Sequence, residues 1–485
     1  MFRFVFTAAI GIALSTVACG GRSDFGEHSP ANSTAWTSYD AGTPADAGSS
    51  FAAALPIPPV LQPSSTDSTT DYYNITVKTA SQQVLPGNTT TIWGFNGSWP
   101  GPTIVATKGR QVSVTQTNRL TENITIHNHG HNVAAQYDGH PTDYIAPNAS
   151  KTYLYPNNQR ASTYWYHDHT YDLTGKHVYY GMAGFYLIHD PSEDALNLPS
   201  GSYDIPLVFQ DRNFNADNSL NYTVDSSAIR TGLLGNTLCV NGVPTPHLDV
   251  ATHKYRFRLL DGSNARTYTL ALSDASSFQV IGSDDGLLAA PVTVTSLAIA
   301  PGERYDIVID FSKYAVGTSV VLQNSDSSWN SSLPNVMSFN VKTSVADASK
   351  VPATLSTIAK LPAPTVTRTL TFSESGGGWT INGLAYDPNR IDYAPVLGTT
   401  EKWILQNQSG EMHPFHQHLS PHQVLTVDRQ GPRPEQQGWK DTLPVGKWSS
   451  AEILIQWTGF KGTYVFHCHK LEHEDNAMML QMQTQ

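Results

Sequence analysis

The C-terminal sequence HCHKLEHEDNAM contains several side chains that bind transition metals, at short spacing. Cys468 lies between His467 and His469, with His473 five residues further on and Met478 ten residues further on. A thiolate, an imidazole and a thioether are three of the four ligands of a blue-copper electron-transfer site. In a strand, neighbouring side chains point to opposite faces, and positions i and i+2 share one face. Cys468 can therefore bind one metal while its two flanking histidines reach a second metal site behind it.

Three more histidine clusters lie upstream of this motif. IHNHG contains His127 and His129, YHDH contains His167 and His169, and HPFHQH contains His413, His416 and His418. With the C-terminal motif, these clusters supply ten histidines, one cysteine and one methionine. A single His-x-His pair is weak evidence, because any exposed strand can carry two surface histidines. Four clusters in one chain, one of them with an embedded cysteine, indicate a multinuclear metal site.

At these residues the chain resembles the multicopper oxidases, which carry four such motifs in the same order. The resemblance covers roughly residues 70–485. The segments most similar to the laccase-like members, spore-coat laccase and bilirubin oxidase, are WYHDHTYDLTGKHVYYGMAGFYLIHD, NGVPTPHLDVATHKYRFRLLDGSNARTYTLAL and HCHKLEHEDNAMM. The resemblance implies an all-β fold of three consecutive cupredoxin-like Greek-key β-sandwich domains.

The resemblance also implies four copper ions and a ligand for each site. The type 1 copper would be bound by His413, Cys468 and His473, with Met478 as a weak axial ligand. The type 2 copper would be bound by His127 and His416, and the two type 3 coppers by His129, His167, His169, His418, His467 and His469. Half of the eight cluster histidines precede residue 170 and half follow residue 415, so the trinuclear cluster should lie between the first and third domains.

Two carboxylates near these motifs are candidate catalytic residues. Glu474 directly follows His473, and Asp138 lies nine residues after His129. By resemblance, both would supply protons for the reduction of O₂, as general acids do. The alternative is that each carboxylate only orients a ligand imidazole. His131 continues the alternation of the first cluster, but it falls outside the family pattern and is excluded from the ligand set.

The bulk composition suits the same architecture. A chain of 485 residues predicts about three domains of roughly 150 residues each. Its 30 prolines, 36 glycines and 14% charged residues favour turn-rich β-structure. QVSVTQT, RYDIVIDF and SAEILIQW alternate apolar and polar residues, as half-buried strands do. We expect domains at residues 71–196, 197–345 and 346–485, the middle one without a metal cluster and separating the other two.

The N-terminal segment indicates export. Residues 1–19 contain a positive start at Arg3, an apolar stretch and small residues, as in a secretory signal. TVAC followed by glycine resembles a bacterial lipoprotein box, although Thr16 stands where leucine is usual. We therefore predict cleavage and lipidation at Cys19; the alternative is an ordinary signal peptide cut nearby. Residues 20–70 are rich in Ser, Thr, Ala, Gly and Pro and are predicted to be a flexible tether. The expected location is extracytoplasmic, as an outer-membrane or periplasmic bacterial lipoprotein, or otherwise secreted.

The remaining features bear on partners. A net charge of −11 argues against nucleic-acid binding. Cys239, in the strand-like TLCVNG, is interpreted as a buried core thiol. We expect a monomer whose partners are O₂ and a small-molecule electron donor.

The favoured hypothesis is a laccase-like oxidase. It would couple one-electron oxidation of phenols, aromatic amines or bilirubin-like pigments to the four-electron reduction of O₂ to water. One alternative is a metallo-oxidase of Cu(I) or Mn(II), although the seven methionines form no Met-rich segment. Another alternative, of a different class, is a copper-sequestering protein without turnover. Steady-state rates on a phenol, bilirubin, Cu(I) and Mn(II) would discriminate them.

Overall fold

The structure is a computed structural model that describes residues 50–326 and 333–485. Over these ranges the chain forms 30 strands, three short α-helices and five 3-10 helices, which confirms the predicted all-β class. In the same ranges, no helix combines the length and apolar character needed to span a membrane. The predicted signal segment with Cys19, and residues 20–49 of the predicted tether, lie outside the described residues.

The first pair of sheets carries two of the histidine clusters. Its strands are β1 (Ser65–Thr66), β2 (Thr70–Gln82), β3 (Thr90–Phe95), β4 (Gly101–Thr107), β5 (Gln111–Asn118), β6 (Ile126–His129), β7 (Ser150–Tyr155), β8 (Ser162–Asp168) and β9 (Ala183–His189), with α1 at Thr174–Tyr179 and a 3-10 helix at Ala135–Tyr137. One sheet has the order β1-β2-β5-β7, with β3 on β2, and the other β4-β9-β8-β6. Strands β6 and β8 are antiparallel with His127 opposite His167, so the two clusters meet at one edge of the second sheet.

The second pair of sheets is the largest. Its strands are β10 (Asp204–Arg212), β11 (Thr237–Val240), β12 (Val243–Pro244), β13 (His247–Ala251), β14 (Lys254–Asp261), β15 (Tyr268–Leu272), β16 (Phe278–Ser283), β17 (Gly286–Val294), β18 (Ser296–Ile299), β19 (Arg304–Asp310), β20 (Ser319–Asn324) and β21 (Asn335–Thr343), with α2 at Ser226–Thr231 and 3-10 helices at Pro191–Leu196, Gly201–Tyr203 and Phe311–Lys313. The sheet orders are β12-β11-β10-β14-β19-β16-β17 and β13-β21-β20-β15-β18. None of the candidate metal clusters found among the described residues draws a side chain from this pair.

The third pair carries the other two clusters. Its strands are β22 (Val366–Ser375), β23 (Gly378–Ile381), β24 (Thr400–Asn407), β25 (His413–Gln417), β26 (His422–Val427), β27 (Thr442–Val445), β28 (Ser450–Gln456), β29 (Gly462–Cys468) and β30 (Met479–Thr484), with α3 at Leu471–Asp475 and a 3-10 helix at Pro434–Gln436. The sheet orders are β23-β22-β24-β28-β26 and β27-β25-β29-β30. Strand β25 pairs with β29 so that Phe415 is opposite Cys468 and His416 is opposite His467. This register brings the third histidine cluster beside the cysteine motif.

Each pair of sheets encloses an apolar core of alternate strand residues. In the first pair, Val112 and Val114 of β5 are buried together with Ile104 and Tyr186 from the facing sheet. Strand β19 departs from the expected half-buried pattern, because six of its seven residues are buried. The reason is that its polar side chains, such as Arg304, are ion-paired inside the protein instead of facing water.

Part of the predicted tether is packed on the body of the protein. The backbone N–H of Phe51 donates to Thr245, that of Leu55 to His247, and that of Leu61 to Thr103. Leu55 is buried in the core of the second pair of sheets. The prediction of a free tether up to residue 70 is therefore wrong for residues 51–66, because apolar side chains in this stretch contribute to the core.

Candidate metal centre

The residues predicted for type 1 copper converge in the third pair of sheets. The Sγ of Cys468 lies 3.5 Å from Nδ1 of His413 and 3.6 Å from Nδ1 of His473, and these two nitrogens are 3.2 Å apart. All three side chains are buried. Burial raises the pKa of the Cys468 thiol to about 12. A metal cation bound at this sulfur would therefore displace a proton at neutral pH.

Met478 lies in the apolar cluster that surrounds this site. It belongs to the same buried cluster as Cys468, and the backbone N–H of Cys468 donates to the Met478 carbonyl over 3.1 Å. Met479 packs elsewhere, against Tyr386 and Val465. Of the two adjacent methionines, the environment of Met478 thus fits the predicted axial position better.

The eight histidines predicted for the trinuclear cluster form three trios, two of which share His129. Within each trio the metal-binding nitrogens lie within 4.8 Å of one another, and the members are His129, His167 and His469; His169, His418 and His467; and His127, His129 and His416. The first two trios comprise the six predicted type 3 histidines, and the remaining two, His127 and His416, are the predicted type 2 pair. The assignment of these histidines to particular copper types stays a prediction.

Histidines from the first and third pairs of sheets interleave at this site. The rings of His127 and His418 stack with centroids 3.9 Å apart, and those of His129 and His416 stack at 3.7 Å. Trp165 stacks on His167 at 4.2 Å. Neither pair of sheets alone contains the complete cluster.

The contacts of the ring nitrogens show whether these histidines are suited to bind metal ions. The Nδ1 atoms of His127, His167 and His416 contact the backbone carbonyls of Asp138, Asp168 and Asp441 at 2.6, 2.7 and 2.9 Å, and their Nε2 atoms have no hydrogen-bond partner. Burial holds the pKa of these three histidines well below the ordinary value, so they are neutral. A buried neutral imidazole with one nitrogen oriented by a carbonyl and the other left open fits a metal ligand.

In His129 the roles of the two ring nitrogens are exchanged. Its Nε2 lies 3.1 Å from Oδ1 of Asp441, whereas its Nδ1 has no partner. The open nitrogen of His129 is therefore Nδ1, in contrast to the three histidines above. The hydrogen bond to Asp441 determines which atom of His129 can bind a metal.

A buried ion network from the second pair of sheets holds Asp441 in place. The guanidinium of Arg304 donates to both carboxylate oxygens of Asp441, over 2.7 and 2.6 Å, and its Nε donates to the carbonyl of Thr163 over 3.0 Å. Asp284 accepts the backbone N–H of Asp441 at 3.1 Å, and Lys440 lies 3.1 Å from Asp284. Burial raises the pKa of Asp441, but the charge of Arg304 outweighs burial and lowers it overall. The second pair thus positions cluster histidines through Asp441.

Glu474 lies between two histidines of the same type 3 trio. Its Oε1 is 3.0 Å from Nδ1 of His169, and its Oε2 is 3.1 Å from Nδ1 of His467. Burial raises the pKa of Glu474, but the two imidazoles together lower it well below the ordinary value. This one carboxylate therefore joins a histidine from the first pair of sheets to one from the third.

Asp138 contacts the cluster on its other side. Its Oδ2 lies 2.7 Å from Nδ1 of His418, whereas Oδ1 is 3.7 Å from Nδ1 of His127 and has no hydrogen-bond partner. Burial raises the pKa of Asp138 to about 7. Asp138 thus orients one histidine and keeps one carboxylate oxygen free.

Helix α3 connects both copper sites to the rest of the molecule. Besides His473 and Glu474 it carries Glu472, which accepts from the backbone N–H of Leu233 at 2.9 Å, and Asp475. Asp475 accepts from the backbone N–H groups of Thr174 and Gly175 at the start of α1, at 2.9 and 2.8 Å. Sequence reasoning missed these anchoring roles, and those of Arg304 and Asp441, because the positions carry no metal-ligand spacing.

Comparison with known proteins agrees with this geometry. Residues 76–193, 165–340 and 359–485 match the multicopper oxidase family. A laccase from Bacillus subtilis is 34% identical to the chain, over 89% of the chain and 98% of the laccase. A bilirubin oxidase from Albifimbria verrucaria is 36% identical, over 88% of the chain and 80% of that protein.

Solved structures show the same fold. A laccase from Pediococcus acidilactici superposes with a TM-score of 0.84 at 32% identity, over 91% of the chain and 95% of that laccase. The multicopper oxidase McoA from Aquifex aeolicus superposes with a TM-score of 0.83 at 31% identity, over 89% and 99% of the two chains.

The cupredoxin-like sandwiches and the clustered thiolate and imidazoles define a copper-dependent oxidoreductase that uses O₂ as electron acceptor. The chain belongs to the multicopper oxidase family and is laccase-like. Its partners are a small-molecule electron donor and O₂. The alternative hypothesis of a copper-sequestering protein without turnover is not needed to explain these similarities.

Proposed function

We propose that the enzyme takes single electrons from phenols, aromatic amines or bilirubin-like pigments at the type 1 site and passes them to the trinuclear cluster. One observation supports this proposal most directly. The Sγ of Cys468 belongs to the type 1 trio, while its neighbours His467 and His469 belong to two different cluster trios. The backbone of three consecutive residues therefore joins the thiolate to both type 3 positions through covalent bonds alone.

The proposed ligand set contains all twelve residues named from the sequence. His413, Cys468, His473 and Met478 would hold type 1 copper, His127 and His416 type 2, and His129, His167, His169, His418, His467 and His469 the two type 3 ions. Bound copper would supply one-electron cycling between Cu(I) and Cu(II) and the binding of O₂. The chain orients the imidazoles by contacts to their second nitrogens and excludes bulk water by burying them.

The two carboxylates are proposed to move protons. Asp138 would hold a proton at Oδ1, the oxygen that has no hydrogen-bond partner, while Oδ2 keeps His418 in place. Glu474 would exchange protons at its two oxygens, which also position His169 and His467. A positioned general acid of this kind contributes on the order of 10²–10⁴ in rate.

Changing Cys468 to Ser tests the electron path. The thiolate is the source of the blue charge-transfer band, so the C468S protein should lose this band and its oxidation of donors while retaining copper at the histidines. Cys239→Ser is the matched control, because Cys239 is an equally buried thiol packed against Trp99, and its band should persist. A colourless wild type with four bound coppers would contradict the assignment.

Steady-state rates on a phenol, bilirubin, Cu(I) and Mn(II) test the donor class. The names of the two relatives, laccase and bilirubin oxidase, favour organic donors. Turnover of Cu(I) or Mn(II) alone would replace this proposal with a metallo-oxidase.

We further propose that the three pairs of sheets correspond to domains at residues 71–196, 197–345 and 346–485. We also propose that the protein is extracytoplasmic, anchored by lipid on Cys19, and monomeric. Cys19→Ala should release active enzyme from membranes, since the first proposed ligand is His127. A wild type that fractionates as soluble without a modified Cys19 would refute the anchor, and light scattering would test the monomer.

A further inference from the structure

The outward nitrogens of both type 1 histidines are capped by protein. Nε2 of His413 lies 3.0 Å from the hydroxyl of Ser409, and Nε2 of His473 lies 3.0 Å from the backbone carbonyl of Arg230. Both imidazole rings have no exposed surface. An electron donor therefore meets a layer of protein in front of these rings and cannot touch either ring directly.

The layer over His473 is residues 230–233, at the end of α2, and the copper motif itself holds it in place. The Nζ of Lys470 donates to the carbonyl of Thr231 at 3.0 Å, and Glu472 accepts from the N–H of Leu233 at 2.9 Å. The indole of Trp379 also donates to the Arg230 carbonyl, at 3.0 Å, and its ring lies 5.4 Å from that of His473. The cover is thus anchored at successive residues.

Arg230 connects this cover to solvent. Its carbonyl caps His473, while its side chain is 58% exposed and pairs at 2.8 Å with Glu374, which is 42% exposed. Exposed ion pairs contribute at most about 1 kcal/mol, so Glu374 does not prevent the guanidinium from binding another anion. Arg230 is also the single charged residue within α2.

The chemistry of the guanidinium selects the class of donor. Its planar fork matches a carboxylate through two parallel hydrogen bonds. The chain as a whole carries a net charge of −11, so an anionic donor gains no general attraction and depends on a local cation. Arg230 supplies that cation at the covered face of His473.

We propose that Arg230 is the specificity-determining residue of the donor site and favours phenols that bear a carboxylate on the oxidisable ring. This inference rests on the laccase-like function proposed above. Each phenol loses one electron to the type 1 site and its hydroxyl proton to water, which leaves an aryloxyl radical. Four such events supply the four electrons that convert one O₂, with four protons, into two molecules of water.

The test compares syringate with its methyl ester, which lacks the negative charge and carries one added methyl group; the effect of each variant is therefore taken as a ratio to wild type on the same donor. The R230Q change should lower kcat/KM for syringate by about tenfold, the equivalent of one charge-assisted hydrogen bond at a partly exposed site. The ester should change by less than about twofold. The backbone carbonyl survives the substitution, so the blue absorption band should be unchanged. Glu374→Gln, which removes the competing anion, should raise kcat/KM for syringate.

Equilibrium binding gives a readout that is independent of turnover. Trimethoxybenzoate has no phenolic proton to lose, so it can bind without being turned over. Calorimetric titration of the copper-loaded protein with trimethoxybenzoate should show about tenfold weaker binding to the R230Q variant than to wild type. Arg433→Gln is the matched control, because Arg433 is 51% exposed and also pairs with a carboxylate, at 2.6 Å to Glu435. The Arg433→Gln change should leave kcat/KM for both donors and the affinity for trimethoxybenzoate unaffected.

Equal loss of activity on the acid and the ester would overturn the inference, since it would indicate a general effect on the cover. Unchanged kinetics and unchanged binding in R230Q would overturn it as well. Failure of the wild type to oxidise either donor would instead refute the phenol oxidation proposed above, and the binding experiment would still decide whether Arg230 recognises the carboxylate.

Discussion

Replacing Arg304 with Met should destabilise the protein and disturb the trinuclear site. Arg304 is buried and donates five hydrogen bonds, two to the Asp441 carboxylate and one each to the carbonyls of Thr163, Gly302 and Asp284. Methionine keeps the approximate length of the side chain but removes the charge and all five donors. Asp441 would then remain in the interior without its counterion.

The size of the effect follows from that uncompensated charge. Removing one partner of a buried ion pair costs about 3–5 kcal/mol. The three carbonyls that lose their donor add to this cost, so we expect the free energy of unfolding to fall by at least about 3 kcal/mol. Because Asp441 also contacts Nε2 of His129, the variant should bind less copper at the cluster while its blue band persists.

Urea unfolding followed by tryptophan fluorescence, together with copper analysis and the visible spectrum, would measure these effects. Arg230→Met, at an ion pair whose two side chains are 58% and 42% exposed, should change stability by less than about 1 kcal/mol and is the control. Adding Asp441→Asn to Arg304→Met should restore part of the lost stability, because it removes the isolated charge. An Arg304→Met protein with wild-type stability and full copper content would refute the reasoning.

Three further outcomes are expected. Asp138→Asn should slow reoxidation by O₂ and leave reduction by the donor normal in stopped-flow traces, because the asparagine side chain can still accept from His418, the one histidine that the Asp138 carboxylate orients. Glu474→Gln should do the same and also lower copper content, since glutamine can accept from only one of the two histidines that Glu474 contacts. Met478→Leu should leave type 1 copper bound and raise its reduction potential in a redox titration, since a thioether stabilises Cu(II) more than a hydrocarbon does; loss of this copper would mean that the axial residue is wrongly assigned. Burial lowers the pKa of His177, but Asp168 and Glu122 outweigh burial and raise this pKa from 6.5 to about 9. The charged imidazole should therefore contribute about 3 kcal/mol to the free energy of unfolding below pH 6.5, and this contribution should be lost as the pH rises through 9. His177→Gln should accordingly be less stable than wild type at pH 6 and approach it at pH 10, and a pH-independent difference would contradict this.

The proposed copper ligands could be recognised in the sequence because each motif is short and local. His467 and Cys468 are the last two residues of β29 and His469 follows directly, so extended-chain geometry sends the thiolate and the two flanking imidazoles to opposite sides. The partition of the eight cluster histidines came from family resemblance, and two groups of neighbouring histidines contain the six residues predicted for type 3 copper. The all-β fold was implied by the family resemblance, and composition and the alternation in runs such as QVSVTQT suited it.

The residues that hold these ligands could not be predicted in the same way. Arg304 and Asp441 are 137 positions apart, and Arg230 and His473 are 243 apart, so no short pattern connects them. The contact of Arg230 with His473 uses a backbone carbonyl, which every residue type possesses. Residues 51–66 were misassigned to the tether because composition alone does not show that Leu55 packs into the core of the second pair of sheets.

The interleaving of histidines from the two ends of the chain has a consequence for biosynthesis. His169 and His418, whose Nε2 atoms face each other at 3.3 Å, are separated by 249 positions. At roughly 5–20 residues per second, a ribosome needs on the order of 12–50 s to synthesise the intervening chain. Until then the first two His-x-His pairs are isolated pairs of imidazoles without the partners that complete their trios. Copper can therefore occupy the cluster as a unit only after translation of the last motif, which makes metal insertion a late step in maturation.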